Sequence, residues 1–167
     1  MKKITLFVFL PILFVGLMVS FGLKSSGEKA GKTGSPGEGT CIDCHNSFAL
    51  NSGGGTLTLS NAMLDANDWK FTAGETYDLD VTISHDGASL FGFGVEVLNA
   101  NGANSGTLIV SNSDETQMMN ASVEGNDRTN IIHKNDAGLV ADTKTFSFQW
   151  TAPTTDDEAT FYITGNA

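Results

Sequence analysis

Both cysteines of the chain lie close together, and a histidine follows them. In the stretch "GTCIDCHNS", two residues separate Cys41 from Cys44, and His45 comes directly after the second cysteine. This Cys-x-x-Cys-His pattern is the attachment signature of c-type haem, in which two thiols form thioethers with the vinyl groups and the histidine becomes the proximal iron ligand. The spacing therefore predicts one covalent haem c per chain, with thioethers at Cys41 and Cys44 and His45 on the iron.

A cysteine pair at this spacing is also compatible with three other chemistries. Outside the cytoplasm, Cys41 and Cys44 can oxidise to a disulfide that closes a small loop, with His45 as a bystander. A thioredoxin-like redox pair needs a βαβ scaffold, for which the sequence gives no sign. A zinc site needs a distant further ligand, such as His133. Haem is the favoured interpretation because this motif is the chain's only use of cysteine.

An electron-transfer haem usually has a second axial ligand, and the chain offers few candidates. His133, in "IIHKNDAG", lies between turn-forming residues near the end of a predicted strand and is our choice for the distal ligand. His85, in "SHDGAS", is the second candidate. The methionines Met63, Met118 and Met119 are more typical of core or loop positions.

The first residues have the pattern of a bacterial export signal. Lys2 and Lys3 precede an uncharged apolar run from Ile4 to Leu23. We interpret residues 1–22 as a signal peptide or, if uncleaved, an N-terminal anchor that provides the protein's contact with the membrane. The expected location is therefore extracytoplasmic, in the periplasm or at the cell surface, where c-type haem is attached.

Composition limits the remaining possibilities. The 9 basic and 19 acidic residues give a formal net charge of -10, which repels phosphate backbones and argues against nucleic acid as a partner. Residues 23–55 are rich in Gly, Ser, Lys and Thr without an apolar period, which predicts a flexible linker that carries the cysteine motif. No arrangement of residues indicates a nucleophile or paired carboxylates, and the acidic clusters do not match a calcium loop. We therefore expect a protein that is not an enzyme.

Apolar and polar residues alternate from residue 56 onward, which is typical of half-buried strands. The run "TYDLDVTIS" is the clearest, and "GTLTLS", "WKF", "LFGFGVEVL", "TLIVS", "KTFSFQW" and "ATFYI" are further candidates. Turns are predicted at "HDGAS", "NANGANSG", "EGNDRTN" and "KNDAG". This pattern predicts that residues 56–167 form an all-β, antiparallel, immunoglobulin-like β-sandwich. The residues expected to face its core are Tyr77, Leu79, Val81, Phe93, Phe146, Phe148, Trp150 and Phe161.

Glycines interrupt one of these runs. Gly92 and Gly94 in "LFGFGVEVL" weaken a strand interior and therefore predict a bulge or a close backbone approach.

The order of these segments resembles a Reelin-type (Reeler) β-sandwich. More narrowly, "GKTGSPGEGTCIDCH" resembles the "GxTGxPGExTCxxCH" segment of bacterial choice-of-anchor V domain proteins. The resemblance runs from about Gly31 to Ala167 and implies an exported sandwich with a histidine at the place of His133. In that family another strand and a C-terminal anchor follow the segment matching "FYITGNA", so the resemblance implies either a domain that has lost its final strand and anchor or a fragment of a longer chain.

Two functions of different classes are consistent with the sequence. The first is a monohaem c-type electron-transfer or redox module, with an unidentified redox partner protein. The second is a non-enzymatic adhesion or ligand-binding module at the cell surface, in which the cysteine pair is structural. A haem absorbance spectrum distinguishes the two.

Overall fold

The computed structural model describes residues 29–155 and 158–167, and over these residues it contains eight β-strands. The predicted export signal lies outside the described residues. The strands are β1 (Thr56–Ser60), β2 (Thr76–Ser84), β3 (Gly92–Leu98), β4 (Thr107–Val110), β5 (Thr116–Val123), β6 (Asn126–His133), β7 (Thr143–Thr151) and β8 (Thr160–Asn166). The two helical elements among these residues are a 3-10 turn, Cys41–Asp43, and one short α-helix, α1, Ala62–Asp65.

The strands form two antiparallel sheets that pack as a β-sandwich, as the alternation predicts. The first sheet has the order β1-β2-β7-β4 and the second has the order β5-β6-β3-β8. The long pairing of β2 with β7 places Leu79 opposite Phe148 and Val81 opposite Phe146. These side chains point inward because residues of one parity along a strand share a face.

Aromatic rings fill the core between the two sheets. Phe93 on the second sheet stacks on Phe146 of the first, with ring centroids 4.7 Å apart. Trp150 meets Phe161 edge to face at 5.1 Å and donates its indole N–H to the Ser105 carbonyl at 2.9 Å. Seven of the eight residues predicted to face the core are buried, and Phe161 is partly buried against them. Each fully buried aromatic contributes about 1.5–3 kcal/mol of transfer free energy.

Two of the strand and turn predictions are wrong. The "WKF" segment lies outside the strands. The predicted turn "EGNDRTN" contains only the hairpin turn at Glu124 and Gly125, and β6 already begins at Asn126. The polar residues of β6 have the composition of a turn. They form a strand because Arg128 and Asn130 are buried against the chain that precedes β1, a contact that hydrophobic alternation with a period of two residues does not reveal.

The chain before β1 covers the outer face of the second sheet. Every residue of β3 is buried, because the core covers one face and residues 29–40 cover part of the other. We call residues 29–40 the docked segment. Composition predicts a flexible linker here, yet the Gly31 N–H donates to Asn130 Oδ1 at 2.7 Å and the Arg128 guanidinium donates to the Pro36 carbonyl at 2.8 Å. The docked segment leads directly into the cysteine motif.

Candidate functional site

The cysteine motif folds into a single helical turn. The backbone N–H groups of Cys44 and His45 both donate to the Cys41 carbonyl, at 3.2 and 2.8 Å. Cys41 begins this turn and Cys44 caps its C-terminal end, so the two thiols belong to one short turn. Both thiols are free. Two cysteines at this sequence spacing, followed by a histidine, match the attachment pattern of c-type haem.

Cys41 is held against β8, whereas Cys44 is exposed to solvent. The Cys41 Sγ lies 3.0 Å from Thr164 Oγ1. Burial raises the pKa of the Cys41 thiol, and its hydrogen bond to Thr164 opposes this rise. Cys41 is therefore a protonated thiol at neutral pH and a fixed point of the motif.

A half-open cleft brings three of the four predicted site residues together. Cys41 and His45 from the motif and His133 from the end of β6 line the same cleft, whose volume is about 90 Å³. Cys44 is not among the residues that line it. We call it the cysteine cleft, and its other lining residues are Lys29, Leu90, Phe91, Gly92, Phe93, Gly94, Ile132, Thr164 and Asn166.

Backbone contacts to β3 fix the His133 ring. The ladder between β3 and β6 pairs Gly94 with Ile132. At the next position along the two strands, the His133 imidazole contacts the backbone of Phe93. Its Nδ1 lies 3.1 Å from both the amide nitrogen and the carbonyl oxygen of Phe93. The Phe93 backbone therefore accommodates either tautomer, and its carbonyl can accept the Nδ1–H of a histidine that binds a metal through Nε2.

The glycine at position 92 makes room for this ring. A Cβ atom at Gly92 would lie 2.7 Å from His133 Cε1, closer than carbon atoms approach in folded proteins. The group that approaches Gly92 closely is thus the side chain of the candidate ligand, whereas a Cβ at Gly94 would make only ordinary contacts, 3.5 Å from Thr164 Cγ2. A larger residue here would displace His133 from the cleft.

The other candidate ligands lie elsewhere. His85 follows β2, with its Nδ1 3.1 Å from the Asp86 carbonyl, and does not line the cysteine cleft. Met63 is exposed on α1. Among residues 29–155 and 158–167, no three His, Cys, Asp or Glu side chains are grouped so as to hold a metal ion.

A buried polar network connects the docked segment to the second sheet. Glu96 on β3 is 0% exposed and Arg128 on β6 is 1% exposed, with 3.8 Å between Glu96 Oε1 and Arg128 Nη1. Arg128 Nη1 also donates to Ser35 Oγ at 2.9 Å, and Thr33 Oγ1 lies 2.9 Å from Glu96 Oε1. Sequence reasoning missed this network, for which the only signal was a lone acidic residue in the apolar run "LFGFGVEVL".

The surroundings of Glu96 make its carboxyl harder to ionise than an ordinary one. Burial raises the pKa of the Glu96 carboxyl, and the nearby Glu38 adds to this rise. Contacts with Ser35, Thr33 and Arg128 oppose it. The network thus places a carboxyl that is difficult to ionise directly beneath the docked segment.

The residues of the cysteine cleft fit a c-type haem as donors, but the cleft as it stands holds only part of a macrocycle. Cys41, the adjacent His45 and the backbone-oriented His133 line the cleft, and Cys44 caps the same turn outside it. A volume of about 90 Å³ is well below the 300–1,000 Å³ typical of small-molecule pockets. A bound macrocycle would therefore extend beyond the cleft, under the exposed chain that follows the motif.

The comparisons with known proteins return one solved structure. The chain is similar to the reeler domain of human F-spondin, with 17% identity and a TM-score of 0.43, over 64% of this chain and 72% of that chain. No protein-family model matches the chain, and no curated protein matches it. Within the part of the chain that the structure describes, no helix is long and apolar enough to cross a membrane.

Proposed function

We propose that this protein is an exported c-type haem-binding protein, a monohaem electron-transfer or redox module on a Reelin-like β-sandwich. Cys41 and Cys44 would form the thioethers, His45 would be the proximal iron ligand and His133 the distal one. The observation that carries the proposal is that His133, remote in sequence, lines the same cleft as Cys41 and His45. Haem bound there would supply reversible one-electron transfer to a partner protein.

The chain's own side chains would orient the iron ligands and limit the access of water. The Phe93 carbonyl can hold the proton of His133 Nδ1, which leaves Nε2 as the ligating nitrogen. Leu90 and Ile132 give the cleft apolar walls. Phe48 and Leu50, 80% and 49% exposed, follow the motif closely and are available to cover the part of a macrocycle outside the cleft.

We also propose the narrower family and the location. The segment "GKTGSPGEGTCIDCH" supports membership of the choice-of-anchor V domain proteins that carry an N-terminal CxxCH segment. The apolar run behind Lys2 and Lys3 supports export to the periplasm or cell surface. The formal net charge of -10 favours a redox partner with a basic docking surface and disfavours nucleic acid.

The decisive experiment is expression of the full chain in a host that matures c-type cytochromes. We expect a Soret band, a sharp α-band on reduction, and pigment that survives acid acetone extraction and denaturing electrophoresis because the thioethers are covalent. Replacing both Cys41 and Cys44 by alanine should abolish the covalent pigment. A colourless wild-type protein from such a host would refute the proposal.

The distal ligand is tested separately. We expect His133→Ala to convert the iron from low to high spin and to allow carbon monoxide or cyanide to bind. His85→Ala is the matched control, because His85 lies outside the cysteine cleft and its loss should leave the spectrum unchanged. If the two variants show the same spectrum as the wild type, His133 is not the distal ligand.

A second cleft favours the alternative function, a non-enzymatic surface module that binds a ligand. It lies beside β4 and β5, has a volume of about 220 Å³, and is lined by uncharged side chains that include Leu108 and Met118. The buried Ser105 hydroxyl lines it and has no hydrogen-bond partner among the described residues. A colourless protein whose β4 and β5 NMR signals shift with a neutral sugar, and no longer shift in Ser105→Val, would support this alternative.

A further inference from the structure

The hydroxyl of Thr33 lies between two carboxyl groups. Thr33 Oγ1 is 2.8 Å from Glu38 Oε2 and 2.9 Å from Glu96 Oε1. A hydroxyl has one proton, so it can donate to only one of these oxygens. The other contact is a hydrogen bond only if the second carboxyl is protonated and donates to Thr33.

The other contacts of the two carboxyls indicate which one carries the proton. Glu38 Oε2 also accepts the backbone N–H of Thr33 at 3.0 Å, a donor that stabilises an ionised carboxylate. Glu96 is fully buried, whereas Glu38 is partly buried. Glu96 Oε2 accepts from Asn130 Nδ2 at 3.0 Å, which leaves Oε1 as the oxygen that donates to Thr33.

The surrounding charges allow only one of the two carboxyls to be ionised. Arg128 on β6 is the cation that pairs with Glu96. From the docked segment, Glu38 adds a second carboxyl, whereas the Lys32 ammonium is paired with Asp43 at 2.5 Å. Tyr162 is the register partner of Glu96 on β8. One buried guanidinium balances one carboxylate, so a second ionised carboxyl would be an uncompensated charge in a dry site.

We propose that Glu96 remains a protonated carboxylic acid at neutral pH and that this proton holds the docked segment on the second sheet. Glu96 is then a positioning residue for the cysteine motif. In this arrangement the Glu96 carboxyl donates to the Thr33 hydroxyl, and the Thr33 hydroxyl donates to the Glu38 carboxylate. The docked segment that these bonds hold ends one residue before Cys41. These contacts belong to the haem-free chain, so the role proposed for Glu96 does not depend on haem binding.

Loss of this proton should weaken the docking of the segment. With both carboxyls ionised, the Thr33 hydroxyl can satisfy only one, and the two negative charges repel. A carboxyl whose pKa is raised in the docked state binds more protons there than in the free state, so docking is strongest at acidic pH. It should weaken as pH rises above the ordinary carboxyl range and through the raised pKa of Glu96.

Carboxyl-carbon NMR titration of the full chain, prepared in reduced haem-free form, tests the assignment directly. We expect the Glu96 carboxyl carbon to have the chemical shift of a neutral acid at pH 7. The amides of Gly31 and Gly34, which bond to Asn130 Oδ1 and the Gly39 carbonyl, report docking through their exchange protection after correction for intrinsic base catalysis. An ionised Glu96 at pH 7 would overturn the proposal.

Two substitutions separate a positioning proton from a merely structural side chain. Glu96→Gln supplies an N–H donor to Thr33 and an acceptor for Asn130, so it should retain amide protection and make it independent of pH. Glu96→Ala should lose the protection of Gly31 and raise alkylation of Cys41 several-fold at fixed pH. Glu75→Gln, at an exposed position, is the matched control and should change neither signal. If Glu96→Gln releases the segment as Glu96→Ala does, Glu96 acts as a carboxylate and the proposal fails.

Discussion

Replacing Arg128 tests the network that docks the chain before the cysteine motif. Arg128 is 1% exposed and donates to three oxygens, those of Gly102, Ser35 and Pro36, at 2.9, 2.9 and 2.8 Å. Arg128→Met keeps most of the volume but leaves these acceptors without their donor, at about 1 kcal/mol or more each. Because the proposed neutral Glu96 forms no ion pair with Arg128, the expected cost is that of the three unsatisfied acceptors, about 3 kcal/mol or more in total.

Urea unfolding at pH 7 should therefore show a loss of about 3 kcal/mol or more in the free energy of unfolding for Arg128→Met. A Glu96→Gln background should leave this cost unchanged, because a neutral Glu96 forms no ion pair with Arg128. An ionised Glu96 would instead couple to Arg128 by about 0.5–3 kcal/mol. That coupling, or a loss below about 1 kcal/mol for Arg128→Met, would refute this account.

Three further predictions concern the core, a close backbone contact and the thiols. Phe146→Ala removes a fully buried ring stacked between the sheets and should reduce the unfolding free energy by about 3–5 kcal/mol in urea titrations. Gly138→Ala would place a Cβ 1.7 Å from the Phe91 carbonyl oxygen. Gly138→Ala should therefore lower the free energy of unfolding by about 3 kcal/mol. A thermal midpoint close to that of the wild type would contradict this packing. In the reduced, haem-free chain, mass spectrometry should show that iodoacetamide modifies Cys44 several-fold faster than Cys41, because Cys41 is half-buried and its pKa is raised; equal rates would place Cys41 at the surface.

The sandwich could be predicted because its strands carry their core signal locally. In β2, Tyr77, Leu79 and Val81 alternate with exposed polar residues, and each is buried as the alternation indicates. β7 repeats the pattern with aromatic residues, whereas the residues of β8 after Thr160 are all partly buried. A period of two is enough to assign one face to the core, so two packed sheets follow without knowledge of which strands are neighbours.

β6 could not be predicted by the same rule, because one of its faces is buried by polar contacts. Arg128 and Asn130 belong to the face that the docked segment covers. An arginine and an asparagine within "GNDRTN" are more typical of a turn. Their burial is favourable because they bond to distant partners: Glu96, Ser35, Pro36, Gly102 and Gly31. These partners are remote in sequence, so no local pattern contains them.

The chemistry of the candidate site is a prediction from the sequence, whereas the contacts that hold its residues are visible only in the structure. The Cys-x-x-Cys-His spacing identifies Cys41, Cys44 and His45 without any structure, and a strand-end position between turns selects His133. The contact of Cys41 with Thr164 and that of His133 with the Phe93 backbone depend on the order of strands in the second sheet. Strand order depends on contacts between residues that are remote in sequence, so local patterns in one sequence do not reveal it.

The glycines before the motif connect its sequence to its position. Gly31, Gly34 and Gly37 have φ angles of 80°, 79° and 83°, which residues with a side chain rarely adopt. These bends turn the docked segment back on itself, so that the Gly34 N–H reaches the Gly39 carbonyl at 2.9 Å. The same fold brings Thr33 to Glu96. A segment that composition describes as a linker is thus shaped to hold polar contacts on one sheet, and it brings Cys41 and His45 to the cleft that His133 also lines.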